Sequence, residues 1–377
     1  MKMKNIAVLA LAGTMAASIM LTGCGNRIDQ DAVAATLGDK EISLGLANFM
    51  AQYQAVTYDS YYMSYYGEDM WSQDLSGSGS TMTDQVKSSV MDQLETDYLL
   101  EQHMSDYKVE ITDDEMTAIQ NAAKQFMKDN EGDAATTMGA TEEYLTEMLR
   151  LSLIQQKMEN AIEAEVDTNV SDDEAAQRTF SYINVTTDGY YDANSKYVAY
   201  TDDEKAALPD KVKEMAAAAK TDFEGAASQY GYTVSTYSYG SDTTDDSMDQ
   251  AVLTAASALK EGEISDLITT DSNGYYVIRL DSEFDRDATD KKKETIVSQR
   301  KSDHYTEVTD AYKKDAKWTV DDDAWAKVNF DELYTIKKDD STELTEGTEA
   351  ATNTETAVNT EALTGNTTGT ESALSTQ

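Results

Sequence analysis

The spacing of apolar residues changes period twice along this chain, which confines it to a helical body interrupted by a sheet-bearing segment. From Asp84 to Met104, Val86, Val90, Leu94 and Tyr98 recur every four residues with Met91 and Leu99 beside them, laying one apolar stripe on a helix. Thr141 opens another helix, striped by Tyr144, Met148, Leu151, Ile154 and Met158. Thr112-Asp113-Asp114-Glu115 reads as a capping box, in which the Thr hydroxyl and the Glu carboxylate satisfy backbone N–H groups left open by the first turn. Ser171 to Glu174 and Thr201 to Glu204 carry the same signal. Val33 to Ser43 alternates and turns at Gly38-Asp39, predicting a small hairpin ahead of a helix running toward Trp71.

The middle has the period of strands. Arg178–Thr186, Tyr232–Tyr239 and Gly274–Leu280 are rich in aromatic and β-branched residues in alternation. A helix from Glu204 to Ser228 and another from Met248 to Leu259 lie between them, so about 105 residues predict a small α+β domain. Asp290 to Tyr312 returns to a helix, and a short helix or strand lies around Trp318 to Ile336. From Lys337 to Gln377 too few apolar residues remain to offset chain entropy, which predicts a disordered Thr/Glu-rich tail. The fold class expected is α+β, with mostly helical N- and C-terminal segments around the inserted domain.

Composition narrows the functions. With 71 acidic against 30 basic residues the formal charge is −41, which repels nucleic-acid phosphates and excludes nucleic acid as a partner. Most of these carboxylates belong on solvated helix faces. Only two histidines occur, His103 and His304, far apart in sequence and outside any spacing that marks a zinc site or a Ser-His-Asp triad, so no metal or other cofactor is expected. The acidic loop Asp242, Asp245, Asp246, Asp249 lacks the spacing and Gly of an EF-hand, which favours a solvated loop over a calcium site.

Met-Lys-Met-Lys, an uncharged apolar stretch from Ile6 to Leu21, and Leu21-Thr22-Gly23-Cys24 follow in the order of a signal peptide. The last four residues resemble the lipobox of bacterial lipoproteins. That resemblance implies cleavage before Cys24, diacylglycerol on its thiol, and a protein tethered to the outer face of a membrane. Cys24 is the sole cysteine, so lipidation leaves no thiol for disulfides or catalysis.

Two further stretches carry a family resemblance. Val86 to Glu115, "VKSSVMDQLETDYLLEQHMSDYKVEITDDE", resembles the N-terminal chaperone region of PrsA and SurA type foldases, and Val33 to Phe49 is similar to the segment that opens it. "MDQAVLTAASALKEGEIS" from Met248 to Ser265, followed by Thr269 to Ile278, resembles the end of a parvulin, the prolyl isomerase module of that family, and Asp222-Phe223-Glu224-Gly225-Ala226-Ala227 sits where that module has "D-F-A-x-L-A". The likeness covers residue 33 to about 330. It implies a signal peptide at 1–23, a tether at 24–32, a helical chaperone region at 33–175, a parvulin-like domain at 176–283, a C-terminal helical region at 284–336 packing on the N-terminal lobe, and the tail at 337–377.

At the family's pocket positions stand Tyr182 and Tyr276 where parvulins carry histidines, Val252 and Ser257 where they carry phenylalanines, and Met248 unchanged. The resemblance thus implies a membrane-anchored extracytoplasmic foldase for unfolded or partly folded exported polypeptides, with homodimer formation left open. Its prolyl cis-trans isomerase site is either rebuilt on tyrosine or kept as scaffold. The alternative is a non-catalytic holdase or a solute-binding surface lipoprotein. Met50, Tyr53, Tyr61, Tyr62, Tyr65 and Trp71 are the candidate client-binding group, because flexible methionines and amphipathic aromatics suit variable partners; core packing of a helix pair is the competing reading.

Overall fold

The computed structural model describes residues 28–130, 137–191, 196–243, 247–270 and 274–333; the signal segment, Cys24, the tail, and Asp245 and Asp246 of the acidic loop lie outside them. In chain order the elements are β1 (Val33–Leu37), β2 (Lys40–Ser43), α1 (Leu44–Tyr66), α2 (Met82–His103), α3 (Asp113–Asp129), α4 (Glu142–Glu163), α5 (Asp172–Ala175) and β3 (Arg178–Val185). There follow β4 (Gly189–Tyr191), β5 (Tyr197–Ala199), α6 (Asp202–Ala219), α7 (Phe223–Tyr230), β6 (Val234–Tyr239), α8 (Gln250–Ala258), β7 (Ile268–Thr270), β8 (Gly274–Ser282), α9 (Arg286–Asp315), β9 (Trp318–Val320) and α10 (Asp322–Trp325). The chain is α+β and divides into two compact units, residues 1–165 with 303–377, and residues 166–302.

The first unit is mostly helical. The capping box at Thr112 forms with both of its bonds, and Thr141 accepts from the Tyr144 N–H to start α4. The stripes read from the sequence face inward: Val86, Val90 and Leu94 of α2 join Leu151 of α4 in one core, each at most 1% exposed. Burying a side chain such as Leu151 is worth roughly 1.5–3 kcal/mol. Arg150 clamps the same pair of helices, donating to Glu147 on its own helix and to Glu101 on α2 at 2.6 Å. The C-terminal segment closes this core. β9 pairs antiparallel with β1, giving the order β2-β1-β9, and Trp325, Val328 and Phe330 pack beneath. Within the described residues, the alternatives left open around Trp318 thus resolve into a strand, Trp318–Val320, and a short helix, Asp322–Trp325.

The second unit is built on a four-stranded antiparallel sheet, order β6-β3-β8-β7. Alternation along β3 and β8 sends Ile183, Val185 and Val277 to one face, under α6 and α7, and Phe180, Tyr276, Ile278 and Leu280 to the other, under α8. The helix expected without a break from Glu204 to Ser228 is two. α6 ends near Lys220, and the Asp222 carboxylate accepts from the Gly225 N–H to start α7. A hairpin, β4–β5, occupies part of the long connection after β3.

At Ser171 only half of the expected capping box forms. The Ser171 hydroxyl accepts from the Glu174 N–H, but the Glu174 carboxylate pairs with Arg300 at 2.6 Å. Arg300 also donates to the carbonyls of Asp167 and Asn169, and Asp172 takes Arg286 and Lys293. These ion pairs fasten residues 167–174 along the first half of α9, and both segments fall within the second unit.

Candidate functional site

The sheet places the tyrosines expected at the parvulin pocket side by side. Tyr182 of β3 lies opposite Ile278, two residues along β8 from Tyr276, so both phenols project from one face. Their ring centroids are 6.0 Å apart with planes tilted by 41°. Met248 and Val252 come up from α8 into the same cluster. Met248, Val252 and Tyr276 are 5%, 0% and 7% exposed, so at these positions the face is packed core, while Tyr182 is half-buried and forms its outward edge. Ser257 stands apart: it is exposed, and its hydroxyl donates to the Leu253 carbonyl within α8.

The cluster holds residues that the sequence reading did not single out. Phe180 lies at its centre, 5.7 Å from the rings of both Tyr237 and Tyr239. The Tyr237 hydroxyl shares a hydrogen bond with Ser247. The Tyr239 hydroxyl is buried with no partner among the described residues. Alternation in Val-Ser-Thr-Tyr-Ser-Tyr of β6 was the available signal, since it puts Tyr237 and Tyr239 on one face. Burial, with Tyr182 and Asp249 nearby, pushes the Tyr276 phenol above its ordinary range. It therefore stays protonated at neutral pH and keeps a hydrogen to donate.

The six residues singled out for client binding separate in the first unit. Met50 is buried in the core with Leu46 and Ala47. Tyr53 is half-buried, its ring 6.2 Å from that of Phe49, and Trp71 packs on Phe330 at 5.0 Å. Tyr61, Tyr62 and Tyr65 are exposed at the end of α1, and Tyr66 joins them. A cavity of about 540 Å³ also opens in this unit between Leu37, Leu99, His103, Tyr312 and Lys317. Its wall carries the His103 ring stacked on Tyr312 at 3.7 Å, with the imidazole bonded to Asp106. His304 meets Glu165 at 3.4 Å. In the acidic loop, Asp242 pairs with Lys292 and Asp249 caps α8.

Comparison with known proteins matches residues 170–290 to the PPIC-type PPIASE domain. The chain is 27% identical over 270 residues to the foldase protein PrsA of Clostridium botulinum strain Loch Maree, covering 67% of this chain and 77% of that protein. Among solved structures, the peptidylprolyl isomerase PrsA of Bacillus cereus is 22% identical, with 65% of this chain and 90% of that chain covered and a TM-score of 0.29. A structure described under two SurA-like chaperones of Campylobacter jejuni, PEB4 and Cj1289, is 11% identical, with 77% and 98% covered and a TM-score of 0.28. The matched domain falls inside the second unit, and the likeness to PrsA extends well beyond it into helical sequence. Residues 170–290 therefore carry a PPIC-type parvulin domain, in a chain that is similar to PrsA foldases over about two thirds of its length.

Proposed function

We propose that this foldase acts outside the cytoplasm, tethered by lipid on Cys24, and works chiefly by holding unfolded or partly folded exported polypeptides on its helical unit. The observation that carries this reading is the group of exposed tyrosines at the end of α1, where Tyr61 is 62% and Tyr65 82% exposed. Large aromatic side chains left in solvent at one helix end mark a contact surface. Suppression of aggregation of an unfolded reporter by the chain without residues 1–24 tests it, and no effect at excess protein would defeat it.

In the parvulin domain we assign Tyr182, Tyr276, Met248 and Val252 to a pocket converted largely into core. Rotation about an X-Pro bond faces a barrier of about 18–20 kcal/mol, and an isomerase lowers it by gripping the proline while the amide twists. No nucleophile is needed, but an open apolar seat is. Packed Met248, Val252 and Tyr276 leave little seat to fill.

A second reading, an isomerase rebuilt on tyrosine, is favoured by one feature. Tyr182 is half-buried at the edge of the cluster and stands next to a protonated phenol at Tyr276. Protease-coupled cis/trans kinetics on a proline peptide separate the two readings.

A further inference from the structure

We infer that the tyrosines at the end of α1 accept extended, cationic polypeptide segments, so that clients are chosen for lysine and arginine as well as for being unfolded. The inference rests on the holding role proposed above and names the chemistry it selects.

The geometry is that of a ladder. Tyr58, Tyr62 and Tyr66 follow one another at i, i+4, with ring centroids 5.9 and 6.3 Å apart, and Tyr61 and Tyr65 stand one residue before Tyr62 and Tyr66 on the same helix. Tyr62 and Tyr66 are 43% and 44% exposed, so ring surface is offered on successive turns. An extended chain running along the helix end meets a new ring every two residues or so.

Charge says what the ladder can hold. From Glu41 to Val86 the sequence contains no lysine, arginine or histidine, while Asp59, Asp69, Asp74 and Asp84 occur there. Elsewhere in the molecule aromatic faces are occupied by the chain's own cations: Lys40 lies over Tyr98, Lys87 over Trp325, Lys211 over Tyr232 and Arg279 over Phe223. Among the described residues no cation lies over Tyr61, Tyr62, Tyr65 or Tyr66. These faces are thus left for a cation from outside, drawn by the ring quadrupole at short range and by a chain of net charge −41 at longer range. An acidic client meets the same charge as repulsion.

The test uses the full chain in lipid nanodiscs and two labelled, unstructured 20-residue peptides (roughly the span of a short client segment). They are identical except for lysine or glutamate at every fourth position, and fluorescence anisotropy reads their binding. The lysine peptide is expected to bind at least about tenfold more tightly. Tyr61→Ser with Tyr65→Ser should weaken it about fivefold at unchanged protein charge, and Tyr61→Phe with Tyr65→Phe should restore it. Both positions are exposed, so folding of the variants is checked simply by circular dichroism.

Equal affinity for the two peptides, or an affinity that the serine variant leaves unchanged, overturns the inference; the latter means diffuse attraction to a polyanion. Self-association that disappears in the serine variant also overturns it, since the ladder is then occupied by a second copy. Aggregation suppression measured alongside separates the two levels. If it persists without a peptide preference, only the client chemistry falls; if suppression and peptide binding are both absent, the holding role falls too.

Discussion

Tyr182 on β3 and Tyr276 on β8 stand on the same face of the sheet with their rings 6.0 Å apart, and the second of them is sealed beneath α8 while the first is not. Where a prolyl pocket needs an opening, this pair is half core and half surface. Protease-coupled assays are expected to give a rate within about tenfold of the uncatalysed one, and Tyr182→Phe with Tyr276→Phe to leave it unchanged. A large rate that the double variant abolishes favours the tyrosine-based isomerase instead.

Met248 tests the same point through stability. At 5% exposure it behaves as core, so Met248→Ala should destabilise the parvulin unit by about 2–4 kcal/mol in urea unfolding. A loss below about 0.5 kcal/mol means that the side chain lines an open groove.

Asp97 gives the helical unit a pH dependence. Its carboxyl is 1% exposed, and burial pushes its pKa up to about 7 against the smaller opposing pulls of Gln93 and Lys313. The unfolded chain ionises this group near pH 4 and the folded chain near pH 7. The contribution is therefore fully present below about pH 4 and lost as pH rises through about 7. Asp97→Asn should raise stability at pH 8 by up to a few kcal/mol and flatten the profile between pH 4 and 7. Thermal melts at pH 5 and pH 8 check it, and an unchanged difference between the two would show that Asp97 is not the group responsible.

The ion pairs of Asp172 with Arg286 and Lys293 hold its carboxyl well below the usual range. Their stabilisation is present above the ordinary carboxylate pKa and is lost only in strong acid. Because these groups are substantially exposed, Asp172→Asn should act locally. The expected result is faster amide exchange over residues 167–175 with little change in melting temperature. Exchange indistinguishable from the parent chain would count against the fastening described above.

Gly274 opens β8 at φ +90°, and a Cβ there would lie 2.3 Å from the Val185 carbonyl oxygen. Backbone, rather than a movable side chain, stands in the way. Gly274→Ala is expected to cost at least about 2 kcal/mol by denaturant unfolding. A neutral substitution would mean that the strand end shifts freely.

What the sequence determined by itself is local: stripe periods, the capping boxes at Thr112 and Thr201, and the alternation that identified β3, β6 and β8 all depend on residues within a turn or two of each other. Tertiary structure decided the rest. Glu174 leaves its capping box because Arg300, 126 residues away, offers a charged partner. Trp318–Val320 becomes a strand because β1 presents an edge to it. The same applies to the aromatics of α1. Met50 and Tyr61 look alike as candidates in sequence, yet one is sealed against the neighbouring helices and the other stands in water, because burial depends on which elements meet and on how far along the helix their contact reaches.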